Sequence, residues 1–193
     1  MQTTDSQLWE SFKKGDQATF SLIYEQYIDE LLTYGYRITN NRQLIKDSIQ
    51  DLFLSLWNSR ERLSETDSIR FYLFRSLRNR ILRNIEKHKE VSIPDTAFYH
   101  NLAELSFEDS LIETEQESET NTSLRNAIEK LSKRQQEVIQ LRYYHNFSLV
   151  QICDIMNISN QSVRNLLSKS IIQLREYLEL SGWLLICSIS CYL

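Results

Sequence analysis

Amide and cationic side chains recur along one side of a helix predicted over residues 160–178, close to the end of the chain. Asn and Gln can form paired hydrogen bonds with adenine, and Arg or Lys can bind guanine or a phosphate. The candidate DNA contacts on this helix are Asn160, Gln161, Ser162, Arg164, Asn165, Ser168 and Lys169. On the preceding helix, Arg134 and Arg142 are better suited to backbone phosphates.

A second basic surface is predicted on a helix over residues 70–89. Its apolar stripe consists of Phe74, Leu77, Ile81 and Ile85. The other face carries Tyr72, Arg75, Ser76, Asn79, Arg80, Arg83 and Lys87. Cations bind phosphates, and an aromatic ring can replace base stacking at ~1–3 kcal/mol per base. The pattern suits unpaired or partly melted nucleic acid. The alternative is an ordinary solvated cationic surface.

The helix predicted over residues 42–58 has a different kind of polar face. Its core positions are Ile45, Ile49, Leu52, Phe53 and Leu56. The opposite side carries Asp47, Gln50, Asp51, Leu54, Trp57 and Asn58. An exposed Trp among carboxylates and amides is typical of a protein-binding hot spot. The alternative is that Trp57 folds over the edge of its domain.

The sequence shows no pattern for enzymatic chemistry. It lacks a glycine-rich phosphate loop and a nucleophile elbow. His88, His100 and His145 are scattered without metal-ligand spacing. Cys187 and Cys191 stand four residues apart with no histidine nearby, and they are expected to be ordinary tail cysteines. We therefore expect no catalytic residue, no metal, no cofactor and no small-molecule substrate.

The elements that carry the first set of contacts form a predicted helix-turn-helix over residues 147–174, FSLVQICDIMNISNQSVRNLLSKSIIQL. Ser148 is predicted to cap the first helix and Ser159 the second. Asn157 ends the first helix because it tolerates the left-handed conformation. Such a unit commonly lays its second helix in the major groove of DNA. The alternative is an antiparallel helix pair that needs no DNA.

Composition predicts an all-α fold, since three glycines and one proline are too few for a turn-rich sheet protein. We expect two small helical domains, at residues 1–89 and 123–178, the second a four-helix domain with the helix-turn-helix. A flexible acidic linker is predicted over 90–122. The uncharged tail WLLICSISCYL, Trp183 to Leu193, lies within residues 179–193. It is too short for a membrane span, and no role follows from it.

Charge is strongly segregated, although the net charge is -4. Residues 70–89 carry a net +6, residues 123–178 a net +4, and residues 90–122 hold nine acidic and no basic side chains. This segregation is expected of basic DNA-contacting surfaces joined by an acidic connector. The first residues have no secretory signal, and three cysteines make no disulfide framework, so a cytoplasmic location is expected.

Four segments, taken in order, resemble the extracytoplasmic-function (ECF) sigma factors of bacterial RNA polymerase. They are FKKGDQATFSLIYEQY, IKDSIQDLFLSLW, SIRFYLFRSLRNRIL and LSKRQQEVIQLRYYHNFSLVQICDIMNIS. The resemblance covers roughly residues 7 to 178. It implies a sigma factor without catalytic activity that directs promoter-specific initiation. The implied partners are core RNA polymerase, promoter DNA and an anti-sigma factor, which is often anchored in the membrane.

The resemblance also implies roles for matching positions. Asp47, Gln50, Asp51, Leu54 and Trp57 match the segment that docks on the largest polymerase subunit. The minus-ten promoter element would be bound and opened by Tyr72, Arg75, Arg78, Asn79 and Arg83, with Arg80 and Lys87 alongside. The loop from Arg60 to Asp67, with Arg62, corresponds to the one that captures an unstacked base. Residues 160–169 match the reader of the minus-thirty-five element.

Two other classes of function remain open from the sequence. An autonomous helix-turn-helix regulator would bind a duplex operator as a dimer, tightly and without polymerase. A sigma mimic that only sequesters another protein would not need Arg78 or Arg164 for transcription.

Overall fold

The computed structural model describes residues 4–91 and 123–178, without the side chains of residues 88–91, and these residues form helices and no strand. The helices are α1 (Asp5–Lys13), α2 (Gln17–Ile38), α3 (Arg42–Ser59), α4 (Ile69–Val91), α5 (123–129), α6 (Lys133–Ile139), α7 (Leu149–Met156) and α8 (Asn160–Tyr177). The all-α prediction is confirmed. Residues 92–122 and 179–193, which hold most of the predicted linker and the whole predicted tail, lie outside the described residues.

Short polar side chains begin the helices of the first part. The Asp16 side chain accepts a hydrogen bond from the Ala18 amide, and the Asn41 side chain accepts one from the Leu44 amide. Each cap satisfies an amide that has no partner inside its own helix. Gly15 joins α1 to α2 with φ at +89°, a conformation that suits glycine. Asp16 and Asn41 therefore fix where α2 and α3 begin.

The helix-turn-helix has the predicted boundaries. Ser148 accepts a hydrogen bond from the Gln151 amide and begins α7. Asn157 ends α7 in the left-handed conformation, with φ at 51°. Ser159 accepts a hydrogen bond from the Ser162 amide and begins α8. The chain therefore turns between the two helices at an asparagine where a glycine is the usual residue.

The first part, α1 to α4, has an aromatic and aliphatic core. Its most deeply buried side chains include Trp9, Phe12, Ile23, Leu31, Tyr34, Leu52, Leu56, Leu73, Phe74 and Leu77. Helices α2 and α3 approach closely at Gly35, where an added Cβ would lie 2.5 Å from Ile45 Cγ2. A hydrogen atom is thus the only side chain that this crossing accommodates without a shift.

Helix α6 is followed directly by a π-helical turn, Gln140–Tyr144. The five consecutive residues 137–141 are all buried, which one face of a helix cannot provide. Val138 and Leu141 belong to the apolar core, whereas Glu137 and Gln140 bond to the first part. This segment is therefore buried on two sides, one toward its own core and one toward the first part of the chain.

The two parts of the chain pack against each other. Helix α2 contacts α6, and α4 contacts α7. At the apolar centre of this contact, the rings of Phe74 and Phe147 meet at 5.3 Å in an edge-to-face arrangement. Because α4 belongs to this contact, part of the predicted nucleic-acid-binding helix is covered.

Candidate nucleic-acid interface

Helix α8 presents its predicted contact residues to solvent. Asn160, Gln161, Ser162, Arg164, Asn165, Ser168 and Lys169 are all exposed. Val163 and Leu167 hold the helix against the core from the opposite side. The Arg164 Nε donates to Asn160 Oδ1 at 2.8 Å, and the Gln161 amide donates to Asn165 Oδ1 at 2.9 Å. Pairs four residues apart thus order this face before any partner binds.

The two arginines that precede the helix-turn-helix differ in their surroundings. Arg134 is exposed on α6. Arg142 is half-buried in the π-helical turn, where its guanidinium donates to the Phe147 carbonyl oxygen at 3.1 Å. Arg142 therefore supports the entry to the helix-turn-helix.

Helix α4 carries a continuous exposed stripe. Its exposed members are Arg75, Asn79, Arg83 and Lys87, and Arg80 is half-exposed. Within the stripe, Arg83 Nε donates to the Asn79 carbonyl oxygen at 3.1 Å. Tyr72 is half-buried, and its ring centroid lies 5.1 Å from that of Trp9. The structure thus brings the predicted cations and amide of α4 together on one face.

Arg78 is the exception on α4, because it is buried. Its Nε donates to Glu137 Oε1 at 2.6 Å, and both side chains are less than a tenth exposed. The Tyr34 hydroxyl donates to the same oxygen at 2.9 Å. Burial and the neighbouring Glu137 carboxylate raise the pKa of Tyr34 well above its usual value, so the phenol remains a donor. Arg78 therefore joins the two parts of the chain in this conformation.

Arg70 makes a second polar link between the two parts, which the sequence did not indicate. Its Nε bonds to Glu30 at 2.8 Å, and its Nη2 lies 2.9 Å from His145 Nδ1. Because an arginine only donates, Nδ1 accepts and the ring proton is on Nε2. Burial and the charge of Arg70 lower the pKa of His145 to about 4. His145 is therefore a neutral, buried acceptor.

The helical periodicity of the sequence contains one indication that Arg78 is buried. On a helical wheel Arg78 lies about 40° from Phe74, at the border of the apolar stripe. A cation at that position is expected to need a buried partner. Its partner Glu137 is 59 residues away and carries no local signal, so sequence patterns could not have identified the pair.

The polar face of α3 is exposed as predicted, with one correction. Asp47, Gln50, Asp51 and Leu54 are exposed, and Leu54 shows 55% of its surface. The expectation that Trp57 is exposed is wrong, because this side chain is half-buried. It folds over the edge of the first part, with its ring centroid 5.0 Å from that of Phe20 and the Arg60 guanidinium 4.6 Å from its centroid.

An apolar groove lies between α2 and α3. Its volume is about 720 Å³. The lining includes Phe20, Tyr24, Ile28, Phe53, Leu54 and Trp57. An open apolar groove beside exposed carboxylates is typical of a surface that accepts an amphipathic helix. Three of the five predicted polymerase contacts, Gln50, Leu54 and Trp57, line this groove.

Residues 4–91 and 123–178 contain no group of His, Cys, Asp and Glu side chains that could hold a metal ion. Across the same ranges, no helix combines the length and the apolar composition that crossing a membrane requires.

Comparison with known proteins gives two family matches. Residues 23–91 match the model of Sigma-70 region 2, and residues 127–176 match the model of Sigma-70, region 4. RNA polymerase sigma factor YlaC of Bacillus subtilis is 24% identical over 80% of this chain and 88% of its own length. ECF RNA polymerase sigma factor SigW of the same organism is 25% identical over 86% of this chain and 92% of its own.

Two solved structures share the fold. The sigma factor RpoE, in complex with the anti-sigma factor NepR from Bartonella quintana, has a TM-score of 0.65 and 19% identity, and the match covers 84% of this chain and 98% of that one. CnrH, in complex with the cytosolic domain of CnrY, has a TM-score of 0.58 and 16% identity, and the match covers 92% and 99% of the two chains.

The two regions together cover more than half of the chain, in the same order as the helices that carry the candidate surfaces. The chain belongs to the sigma-70 family of RNA polymerase sigma factors. Within that family it is an ECF sigma factor, as the four resembling segments predicted. The alternative of an autonomous helix-turn-helix regulator is not favoured, because it does not account for the match of residues 23–91 to Sigma-70 region 2.

Proposed function

We propose that this sigma factor uses three separate helical surfaces, one for core RNA polymerase and one for each promoter element. The α3 face and its apolar groove dock on the polymerase, α4 binds and opens the minus-ten element, and α8 reads the minus-thirty-five element. The proposal rests on one observation. Most of the side chains predicted to bind polymerase or DNA are exposed on the helices of regions 2 and 4. The factor works in the cytoplasm by binding alone and has no catalytic activity and no cofactor.

Polymerase docking is supported by the composition of the α3 face. Leu54 lies beside the carboxylates Asp47 and Asp51, and Trp57 forms one end of the groove. Burial of a side chain such as Leu54 provides affinity, while the carboxylates select a basic partner surface. The groove therefore fits an amphipathic polymerase segment with cations at its edge.

Promoter opening is supported by the exposed stripe of α4. The cations Arg75, Arg83 and Lys87 can bind phosphates, and Asn79 can bond to a base edge. The loop from Arg60 to Asp67 lies directly before α4 and would receive an unstacked base. Together these groups favour the single-stranded form of the element by giving it contacts that the duplex lacks.

Binding of promoter DNA through Arg78 requires the two parts of the chain to separate. Arg78 cannot bond to a phosphate while its guanidinium is buried on Glu137. We propose that the packed conformation is the free form of the factor and that polymerase holds the open form. Two weak DNA-binding modules on one chain then act together, because binding of one raises the local concentration of the other.

An anti-sigma factor is a further proposed partner. The sigma factor RpoE was solved in complex with the anti-sigma factor NepR. The apolar groove between α2 and α3 is open in this chain and offers such a partner an apolar surface. By resemblance, such a partner is often anchored in the membrane.

Run-off transcription with core polymerase tests the proposal. Fragments of the source genome serve as templates, and transcripts are mapped with and without the factor. We expect discrete start sites that need the factor and that weaken when Arg83→Ala or Arg164→Ala is used. Arg175→Ala, an exposed arginine at the end of α8, is the matched control and should leave transcription unchanged. No factor-dependent start site on any template would overturn the proposal.

A further inference from the structure

Helix α1 makes polar contacts with the segment around the proposed base-capture loop. The Trp9 indole Nε1 donates to the Ser64 carbonyl oxygen at 2.9 Å. An Asp5 carboxylate oxygen accepts from the Ile69 amide, the first of α4, at 3.0 Å. Lys13 forms an ion pair with Glu65. Neither the family matches nor the resemblance assigns a role to these α1 side chains, and the region 2 match begins at residue 23.

The Trp9 ring also supports the aromatic residue of α4. Trp9 is fully buried, and its centroid lies 5.1 Å from that of Tyr72 at an interplanar angle of 58°. Trp9 thus contacts the loop through its indole N–H and the Tyr72 side chain through its ring. An unstacked base would lie beside the Tyr72 ring. Trp9 fixes the separation of these two groups.

The loop itself has little else to hold it. Ser64, Glu65 and Asp67 are exposed, and Leu63 is its one side chain packed against the apolar core. The hydrogen bonds within the loop are short-range, from the Leu63 amide to the Arg60 carbonyl oxygen and between Thr66 and Ser68. A loop with few buried contacts opens easily unless another element fixes its backbone. The contacts from α1 are therefore the main long-range polar restraint on the described loop.

We infer that α1 is a positioning element for base capture, in which Trp9 and Asp5 hold the loop from Arg60 to Asp67 and the start of α4 at the spacing that a flipped-out base requires. This inference rests on the proposed function of α4. Trp9 and Asp5 do not touch DNA themselves. They reduce the ordering that the loop must undergo when a base binds.

Trp9→Phe and Asp5→Ala test the inference in reconstituted holoenzyme. Trp9→Phe keeps an aromatic ring and removes the N–H. Asp5→Ala removes the acceptor, whereas Asp5→Asn keeps one and serves as the rescue variant. Glu10→Gln is the control on α1. Glu10 is exposed, and its ion pair is with Lys14, the residue that follows α1, and not with the loop. Far-ultraviolet circular dichroism and a melting curve identify any variant that is not folded at the assay temperature.

The probe is the single-stranded 12-mer that wild-type holoenzyme enriches from a random pool, with an abasic site introduced at each position in turn. We expect wild type to lose roughly tenfold in affinity at one or two positions, the size of a lost base stack. In Trp9→Phe and Asp5→Ala the loss at those positions should fall to about two- or threefold. Asp5→Asn and Glu10→Gln should retain the wild-type ratio.

Equal abasic losses in wild type, Trp9→Phe and Asp5→Ala would overturn the inference, as would a wild-type holoenzyme that transcribes from promoters but shows no sensitive position. A uniform loss of affinity for intact and abasic strands would also overturn the inference, because a purely structural role would lower the affinity for every probe by the same factor. Failure of the proposed function has a different signature, namely the absence of factor-dependent transcription in the run-off assay.

Discussion

Arg78 and Glu137 form a buried ion pair at 2.6 Å that joins the two helical parts of the chain. Each ion would be costly to bury alone, since desolvation amounts to several kcal/mol per charge. The Tyr34 hydroxyl adds a third group to the cluster, so Glu137 Oε1 has two donors. The packed conformation therefore depends on a few polar groups that must all remain paired.

Glu137→Ala is expected to open the chain. The substitution leaves the Arg78 guanidinium buried without a carboxylate, at a cost of about 3–5 kcal/mol. Separation of the two parts relieves that cost by returning Arg78 to water. We expect a larger radius of gyration in small-angle X-ray scattering and stronger binding of promoter DNA without polymerase. Glu176→Ala, an exposed acid on α8, is the control, and an unchanged scattering profile for Glu137→Ala would contradict the prediction.

His145 should make stability depend on pH. Its pKa of about 4 in the folded chain is below the ordinary value of 6.5, so the folded state takes up the proton less readily than the unfolded state. The stabilisation is complete above about pH 6.5 and is lost as the pH falls toward 4. The slope is at most about 1.4 kcal/mol per pH unit.

The measurement is the free energy of unfolding by urea between pH 5 and 7.5, for wild type and His145→Gln. Subtraction of the two curves removes the pH dependence that the two proteins share. Glu30, whose carboxylate oxygen lies 3.8 Å from His145 Nδ1, is present in both. Parallel curves for the two proteins would show that His145 is not the titrating group.

Leu54→Glu is expected to weaken polymerase binding more than tenfold, because a hot-spot side chain contributes about 2 kcal/mol or more. Leu54 is 55% exposed, so the fold should tolerate the charge, with a change within about 0.5 kcal/mol. Leu22→Glu is the matched control, since Leu22 is 48% exposed on α2 and lies outside the groove lining. Competition for fluorescently labelled core polymerase gives the affinities. Equal effects of the two variants would rule out a specific role for Leu54.

Arg164→Ala and Lys169→Ala should affect promoter binding differently. A lost base contact costs about 1–3 kcal/mol and relaxes the sequence preference at one position of the minus-thirty-five element. A lost phosphate contact weakens all sequences alike and lowers the salt slope by about one. Holoenzyme binding to a promoter library at several salt concentrations separates the two. If Arg164→Ala keeps the full sequence preference, this arginine does not contact a base.

Replacement of Asn157 by glycine and replacement by alanine should change the stability of the fold in opposite directions. At φ of 51° a Cβ is unfavourable, so Asn157→Gly is expected to stabilise the fold by up to about 1 kcal/mol. Asn157→Ala should destabilise it by about 1 kcal/mol, since alanine lacks the polar side chain that makes asparagine tolerant of this conformation. Thermal and urea unfolding check both values. Identical stabilities would contradict the left-handed turn.

Local features of this fold were predictable because they depend on neighbouring residues. The caps at Asp16, Ser148 and Ser159 and the left-handed end at Asn157 each need only three or four residues of sequence. The exposed face of α8 followed from the helical period. The residue roles assigned to that face remain predictions.

Features that depend on a second helix were not predictable from periodicity. Trp57 is half-buried because Phe20 of α2 supplies a ring beside it. Residues 137–141 are buried on two sides, and the second side is covered by the first part of the chain. Arg78 looked like a DNA contact because its partner, Glu137, lies 59 residues further on. In each case the deciding contact is long-range.

The distance in sequence between Arg78 and Glu137 also orders events during synthesis. Ribosomes add roughly 5–20 residues per second, so Glu137 is made about 3–12 s after Arg78. The contacts that complete the first part, such as Asp5 with the Ile69 amide, can all form earlier. Helix α4 ends at Val91, 46 residues before Glu137, so each new molecule has an interval of about 2–9 s in which a complete α4 precedes the residue that covers Arg78. During that interval the nascent chain can meet polymerase, or an anionic ligand, in an open form that the finished molecule reaches only by breaking the ion pair.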